Sequence, residues 1–414
     1  MVSIYNLAIR LYVFGIRLAA LAGNKKAVLW VNGRKNWKEN IKQKLIPNEK
    51  RIWFHCSSLG EFEQGRPVLE KLRSNYPDSK ILLTFFSPSG YEIRKDYKGA
   101  DWVYYLPLDS KANARNFFDI VDPSFVVFVK YDYWYYYLDE CKKRKIPLLM
   151  TSAIFRKEQP FFKWYGGLHR KMLSCFTHFF VQDEDSKKLL VHLNINNVTA
   201  AGDTRFDRVS EIAENFKPIK EIEEYCENSP VFVAGSTWPD DEKIIKDATA
   251  EFPDLKIIIA PHEIHKEHLQ QLKQLFPEAT LYAELTTHNL QLSNCLIIDN
   301  IGMLSRLYHY ATITYIGGGF NKGIHNTLEA AVYGKPVLFG PNYKKFKEAI
   351  ELIEAGGGVC VNSGTELSSQ LKKFLNNKNE LELSGKKSFD FVRNNNGATG
   401  QIINYIVENR LLTS

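Results

Sequence analysis

Cysteine is scarce in this chain and unpaired. Cys56, Cys141, Cys175, Cys226, Cys295 and Cys360 are scattered, with no CxxC among them. That is poor material for a zinc site or a disulfide framework, and it fits a reduced, cytosolic setting. Acidic residues are nearly missing from the first fifty positions, which hold only Glu39 and Glu49 against ten Lys/Arg. The chain has no repeat array and no low-complexity tract. What is present is 414 residues with 44% hydrophobic content. That supports ordinary cores and excludes a disordered chain, and the length suggests about two domains.

The formal charge of +7 is therefore local: the first fifty residues carry +8 and the remainder −1. A nucleic-acid binder would spread its basic surface over a whole domain. An excess at one end favours an anionic surface near that end, and no nucleic acid. Met1 to Leu21 is apolar but interrupted by Arg10 and Arg17, which share a helix face with Ser3 and Asn6. A narrow polar stripe beside a broad apolar face describes an amphipathic helix. A spanning helix would carry each central Arg at a cost of roughly 2.5–3.5 kcal/mol. A signal peptide would place its basic residues before the apolar run. An interfacial helix with its basic flank on anionic headgroups is the expectation, with the body cytosolic.

From residue 51, short β-rich runs alternate with amphipathic helices. Strands are expected at Ile52–His55, Ile81–Phe85, Trp102–Tyr105, Phe125–Val129, Pro147–Thr151 and Phe179–Gln182. They are expected again at Val231–Ala234, Lys256–Ala260, Cys295–Ile298, Thr312–Ile316 and Pro336–Phe339. Repeated βα units predict parallel sheets covered on both faces. A polar stretch near Phe206–Pro230 divides them. The expected organisation is an anchor and basic segment over 1–50, one Rossmann-like domain over 51–205, and a second over 206–414 that includes a C-terminal helix. Ligands of such sheets sit beyond the carboxyl ends of the strands, here in a cleft between the domains.

Three segments carry candidate chemistry. In His55-Cys-Ser-Ser58-Leu-Gly-Glu61 a strand runs into a short loop and a helix. Glu61 falls in the first turn, where the dipole favours a carboxylate that can serve as a general base, although Ser58-x-x-Glu61 also spells a plain capping box. In Val231-Phe-Val-Ala-Gly-Ser236-Thr237-Trp-Pro239-Asp-Asp-Glu242, backbone N–H groups and two hydroxyls could cradle a phosphate, or Ser and Thr could simply cap the helix. The Gly-Lys-Ser/Thr ending of a P-loop is missing. In Gly317-Gly318-Gly319-Phe-Asn-Lys-Gly323-Ile-His325-Asn326-Thr327-Leu328-Glu329, the spacing is not that of the dinucleotide fingerprint. Three consecutive glycines allow a ligand to approach closely, and Asn326 and Glu329 point to one side. Smaller features at strand ends are Pro261-His262, Arg205 and Lys130-Tyr131-Asp132. His262 and His265 lack an evident third ligand, so no metal is expected.

Taken together, these segments resemble the 3-deoxy-D-manno-octulosonic acid (Kdo) transferases, bacterial glycosyltransferases of the GT-B fold. The likeness runs from the N-terminal helix and Gly33-Arg34 to the Gly340-Pro341 turn. It is strongest at His325-Asn326-x-Leu328-Glu329 followed by Pro336-Val337-Leu338. The resemblance implies an α/β GT-B fold and transfer of Kdo from CMP-Kdo to a hydroxyl of the lipid A precursor, without a cofactor, on the cytoplasmic side of the inner membrane. It implies Glu61 as proton acceptor and Arg205 as a transition-state cation. CMP would be held by Ser236, Thr237, Pro261, His262, Ile301, Gly302, Met303, Asn326, Thr327, Leu328 and Glu329. The chain departs from the family at Lys130, where a glutamate is usual, so Asp132 is the alternative carboxylate. His262 stands for an arginine, Arg205 for a lysine and Met303 for an acidic residue. The alternatives are another GT-B enzyme acting on a UDP-sugar, or a non-catalytic, membrane-associated nucleotide-sugar-binding protein.

Overall fold

A computed structural model describes residues 2–46, 49–227, 229–285 and 293–412. The chain forms two compact units, Met1–Asp207 with Gly397–Ser414, and Arg208–Asn396.

The first unit is built on seven strands: β1 (Arg51–Cys56), β2 (Lys80–Phe85), β3 (Trp102–Tyr105), β4 (Phe125–Val129), β5 (Leu148–Ala153), β6 (His178–Val181) and β7 (Val198–Ala200). They lie in the order β3-β2-β1-β4-β5-β6-β7 with every pair parallel. Side chains alternate between two buried faces, as a parallel sheet requires. Trp53, Val126 and Phe128 enter one core. Phe54, Val127 and Val129 enter the other. Strand order reverses between β1 and β4, where His55 lies opposite Phe128. That reversal opens a crevice at the carboxyl ends of these two strands.

The C-terminal helix Ala398–Glu408 belongs to this unit, not to the second domain as its place in the chain suggests. Ala398, Ile402, Ile403 and Ile406 complete the core beneath Phe54 and Val127. Its start is held by Asp207, whose carboxylate accepts from the Gly397 N–H (2.6 Å), the Thr399 N–H (2.8 Å) and the Thr399 hydroxyl (2.8 Å). An apolar helix stripe goes where an open sheet face needs covering, whatever its sequence distance.

At the other terminus, helix α1 (Val2–Leu21) is followed by α2 (Lys25–Asn32) and α3 (Trp37–Lys42). One side of α1 meets the body. The Tyr5 hydroxyl donates to Asp109, Asn6 accepts from the Tyr136 hydroxyl at 2.8 Å, and Tyr12 packs on Trp30 and Phe86. The opposite side, at Ile4, Leu7, Leu11, Phe14, Leu18 and Leu21, is exposed, from 50% at Leu18 to 86% at Leu21. Its 3–4 spacing is one continuous helix stripe. Among the described residues, α1 is the one helix long and apolar enough to cross a membrane.

The second unit repeats the plan with β8 (Val231–Thr237), β9 (Lys256–Pro261), β10 (Thr280–Leu281), β11 (Cys295–Ile297), β12 (Ile313–Ile316), β13 (Val337–Phe339) and β14 (Gly358–Cys360). Its order is β10-β11-β9-β8-β12-β13-β14, again parallel throughout. The polar stretch expected as a linker is helical over Thr204–Glu214 and Lys220–Cys226. Ile222 and Tyr225 are fully buried.

Candidate functional site

In the first unit the site grows from the β1/β4 crevice. β1 ends at Cys56 and α4 (Leu59–Asn75) begins three residues later. The capping box forms: the Ser58 N–H donates to Glu61 Oε2 at 2.9 Å and the Ser58 hydroxyl to the same oxygen at 3.2 Å. Capping does not exhaust what Glu61 does. Burial, reinforced by the nearby Asp132 anion, pushes its carboxyl up to about 7, against the lowering pull of the Ser58 bonds and of Lys130. A carboxylate that titrates near neutrality is poised to exchange a proton.

Lys130 closes β4 in the left-handed region at φ 67°, an uncommon conformation for a side chain with a Cβ and one concentrated at functional sites. Its ammonium lies 5.1 Å from the Tyr131 ring centroid. Asp132, two residues on, is held from beneath. His55 Nε2 stands 2.7 Å from Asp132 Oδ2. The far nitrogen of His55 meets the Thr84 hydroxyl at 2.8 Å, and that hydroxyl also accepts from Trp53 Nε1 at 2.8 Å. A fully buried histidine on β1 thus braces the carboxylate that raises Glu61. Arg205 is placed beside the same helix but is already matched. Its Nε and Nη2 both donate to Asp203 Oδ2, at 2.9 and 2.7 Å, and that oxygen also faces Gln64 Nε2 at 3.4 Å.

In the second unit the expected nucleotide residues end or follow β8, β9, β11 and β12 in the chain. Ser236 is left-handed at φ 54°. Thr237 is buried, and its hydroxyl donates to Glu242 Oε1 at 2.9 Å. Glu242 in turn faces His268 Nε2 at 3.0 Å. Thr237 is therefore engaged internally rather than presented to a ligand. Pro261 ends β9 and His262 follows it, exposed. The His262 ring stacks against both Trp238 (4.9 Å between centroids) and His325 (4.2 Å). Trp238 Nε1 donates to His325 Nε2 at 3.1 Å. Burial, with His262 beside it, pulls His325 down to about 4, consistent with a neutral ring accepting at Nε2. Burial also lowers His262. Ile301 is exposed, Gly302 takes φ 101°, and Met303 is buried at the start of the short helix Leu304–Leu307.

Asn326 and Glu329 do share one side: Asn326 Nδ2 donates to Glu329 Oε1 at 3.1 Å. Asn326 Oδ1 accepts from the Leu328 N–H at 3.2 Å. The Thr327 hydroxyl between them is buried with no hydrogen-bond partner among the described residues. The glycine run has a different reason from ligand approach. A Cβ on Gly317 would lie 2.3 Å from the Ser236 carbonyl oxygen, one on Gly318 2.3 Å from that of Gly323, and one on Gly319 2.5 Å from Gly340 Cα. The protein's own backbone fills those spaces. Asp241, unremarkable in sequence, ties the loop down: its carboxylate accepts from the Gly318 N–H at 2.8 Å, the Trp238 N–H at 2.9 Å and the Tyr315 hydroxyl at 2.7 Å. Among the described residues no group of three metal-ligating side chains converges.

Residues 35–208 match the family model described as 3-deoxy-D-manno-octulosonic-acid transferase (kdotransferase). The 3-deoxy-D-manno-octulosonic acid transferase of Rickettsia felis is 26% identical over 368 residues, 86% of this chain and 79% of that one. The Aquifex aeolicus enzyme of the same name is 28% identical over 354 residues, 83% and 92% of the two chains. The chain is thus similar to the Kdo transferases over most of its length. These matches make it a glycosyltransferase. The fold has a wider circle: UDP-GlcNAc 2-epimerase from Neisseria meningitidis, bound to UDP-GlcNAc, superposes with a TM-score of 0.60 at 17% identity, covering 86% of this chain and all of that one. The likeness there is one of GT-B architecture alone.

Sequence reasoning missed three supports of the candidate site: His55 under Asp132, Asp241 under the glycine loop, and the cluster of Trp238, His262 and His325. His55 and Asp241 stood inside the motifs, yet nothing in the spacing tied either to a partner 77 residues away.

Proposed function

We propose that this chain transfers Kdo from CMP-Kdo to a hydroxyl of the lipid A precursor, with Glu61 as general base. The observation that carries the reading is a carboxylate at a helix N-terminus whose pKa is raised to about 7 by burial and by Asp132. Glu61 takes the proton of the acceptor hydroxyl. The oxygen attacks the anomeric carbon of Kdo, the bond from that carbon to the phosphate oxygen breaks, and CMP departs with the bonding pair. Charge then grows on the phosphate, where fixed cations are the expected stabilisers. Arg205, paired to Asp203, and Lys130 are the candidate cations. Asp132 keeps Glu61 basic enough to accept a proton.

The nucleotide falls to the second unit. Glu329 and Asn326 suit the ribose hydroxyls, the unpartnered Thr327 hydroxyl offers a further polar contact, and the His262 face suits the base. Ser236, Pro261, Ile301, Gly302, Met303 and Leu328 end or follow the same strands. The exposed stripe of α1, beside a segment of charge +8, favours attachment to an anionic bilayer. That membrane would be the inner one, approached from the cytoplasm.

The test is transfer of radiolabelled Kdo to a lipid A precursor. Wild-type protein is expected to form product, and Glu61→Ala to lose transfer while still binding CMP-Kdo. Titration of CMP against UDP checks the donor, with CMP expected to bind more tightly. Near wild-type turnover by Glu61→Ala rejects the base, and tighter UDP binding rejects the donor.

A further inference from the structure

The first unit holds a groove that none of this chemistry uses. It lies between the carboxyl-terminal half of α1, helix α2 and the Pro107–Leu108 segment, with a volume of about 630 Å³. That is the size of a small-molecule site. Its walls are mainly apolar, from Val13 and Ala20 on α1 through Val28 and Val31 on α2 to Leu108. Two basic side chains, Arg17 and Lys35, also line it, and both residues are exposed.

The third cation there is spent. Arg34 sits over the rings of Trp30, Phe86 and Tyr105 at 4.1, 4.8 and 4.9 Å. It donates to the carbonyls of Leu106 (2.9 Å), Trp30 (3.1 Å) and Phe86 (2.7 Å). Gly33 beside it leaves no room for a side chain, since a Cβ would stand 2.2 Å from the Tyr105 ring. Gly33-Arg34 therefore pins α2 to the body and makes one wall rigid. At its other end the groove reaches Leu21, the last residue of the exposed α1 stripe, so groove and stripe are continuous.

We infer that this groove takes one acyl chain of a phosphorylated acceptor lipid, whose phosphate meets Arg17 and Lys35. An apolar trough with cations at its rim, opening on the stripe that faces the bilayer, matches an anionic amphiphile end to end. The inference rests on the lipid-acceptor reading above. It adds that the protein grips the acceptor by its chain as well as by its sugar.

Two experiments decide it. In the first, full-length protein is irradiated with dimyristoyl phosphatidic acid carrying a diazirine near the end of one chain. Adducts are expected on Val28, Val31 and Leu108. Adducts confined to Ile4, Leu7, Leu11 and Phe14 would mean bilayer contact only and overturn the groove. In the second, Ala20→Trp and, separately, Val31→Phe fill the groove, with melting temperatures recorded. KM for the acylated precursor is expected to rise about tenfold, while KM for the deacylated phosphodisaccharide and for CMP-Kdo stays constant. An unchanged KM for the acylated acceptor in a folded variant overturns the groove. Wild-type protein inactive on both acceptors refutes the reading of the reaction, while the photo-adducts still report on the groove.

Discussion

Replacing Glu61 by Gln tests the site without relying on turnover. The folded protein keeps the Glu61 proton up to about pH 7, against 4.5 for the free side chain. Between those values the native state binds more protons than the unfolded chain, so stability falls as pH rises. The penalty is absent below the unfolded pKa and complete above the folded one. Its full size is roughly 3 kcal/mol, an upper value because part of the carboxylate reaches solvent. Between about pH 5 and about pH 8 it should grow by about 2.5 kcal/mol. Gln cannot ionise, yet its carbonyl can still accept from the Ser58 N–H, so the capping box survives. Glu61→Gln should therefore gain on wild type as pH rises, while losing about a hundredfold or more in transfer rate. Six of the seven tryptophans lie in the first unit, and Trp238 is the exception. Urea unfolding followed by tryptophan fluorescence thus reads mainly the unit that holds Glu61. A stability difference between variant and wild type that is the same at both pH values would refute the buried, anion-raised carboxylate and with it the physical basis for the base.

The remaining predictions concern the groups around it. Transfer should rise with pH through an acid limb near 7. Asp132→Asn should move that limb down by removing a raising charge, and Lys130→Met should move it up by removing a lowering one; a limb unmoved in both variants refutes the coupling. Gly318→Ala should cost roughly 1–3 kcal/mol, from a left-handed φ of 91° and a backbone oxygen 2.3 Å from the new methyl. A melting temperature equal to wild type would show that the loop can yield. Deleting Val2–Leu21 should release the protein from anionic vesicles in co-sedimentation, and retention would place the membrane contact elsewhere.

The order of elements could be read from the residues. Trp102–Tyr105 and Phe125–Val129 are the strands that their apolar runs announce. Most other expected strands differ by one to three residues at an end. Three were missed, β7, β10 and β14, each only two or three residues long. Runs that short carry no periodicity of their own and pair only because a neighbouring strand offers an edge. Glu61 and the Asn326–Glu329 pair were legible because local spacing alone sets a first-turn carboxylate and an i, i+3 contact.

Local sequence determined what each segment becomes: βα units, a capped Glu61, an amphipathic N-terminal helix, and a charge gathered at one end. Tertiary structure decided which of them meet. Only the sheet order puts β1 beside β4, and so His55 under Asp132 and Asp132 beside Glu61. The pKa of Glu61 follows from that neighbour and from burial, neither of which spacing can express. The C-terminal helix joins the first unit because its apolar face fits beneath Phe54 and Val127. The glycines of the third motif are required by Ser236, Gly323 and Gly340, backbone brought there from elsewhere in the chain. Propensity and periodicity act over a few residues, whereas packing and electrostatics act over a few ångströms, and only the folded chain makes those two kinds of neighbourhood coincide.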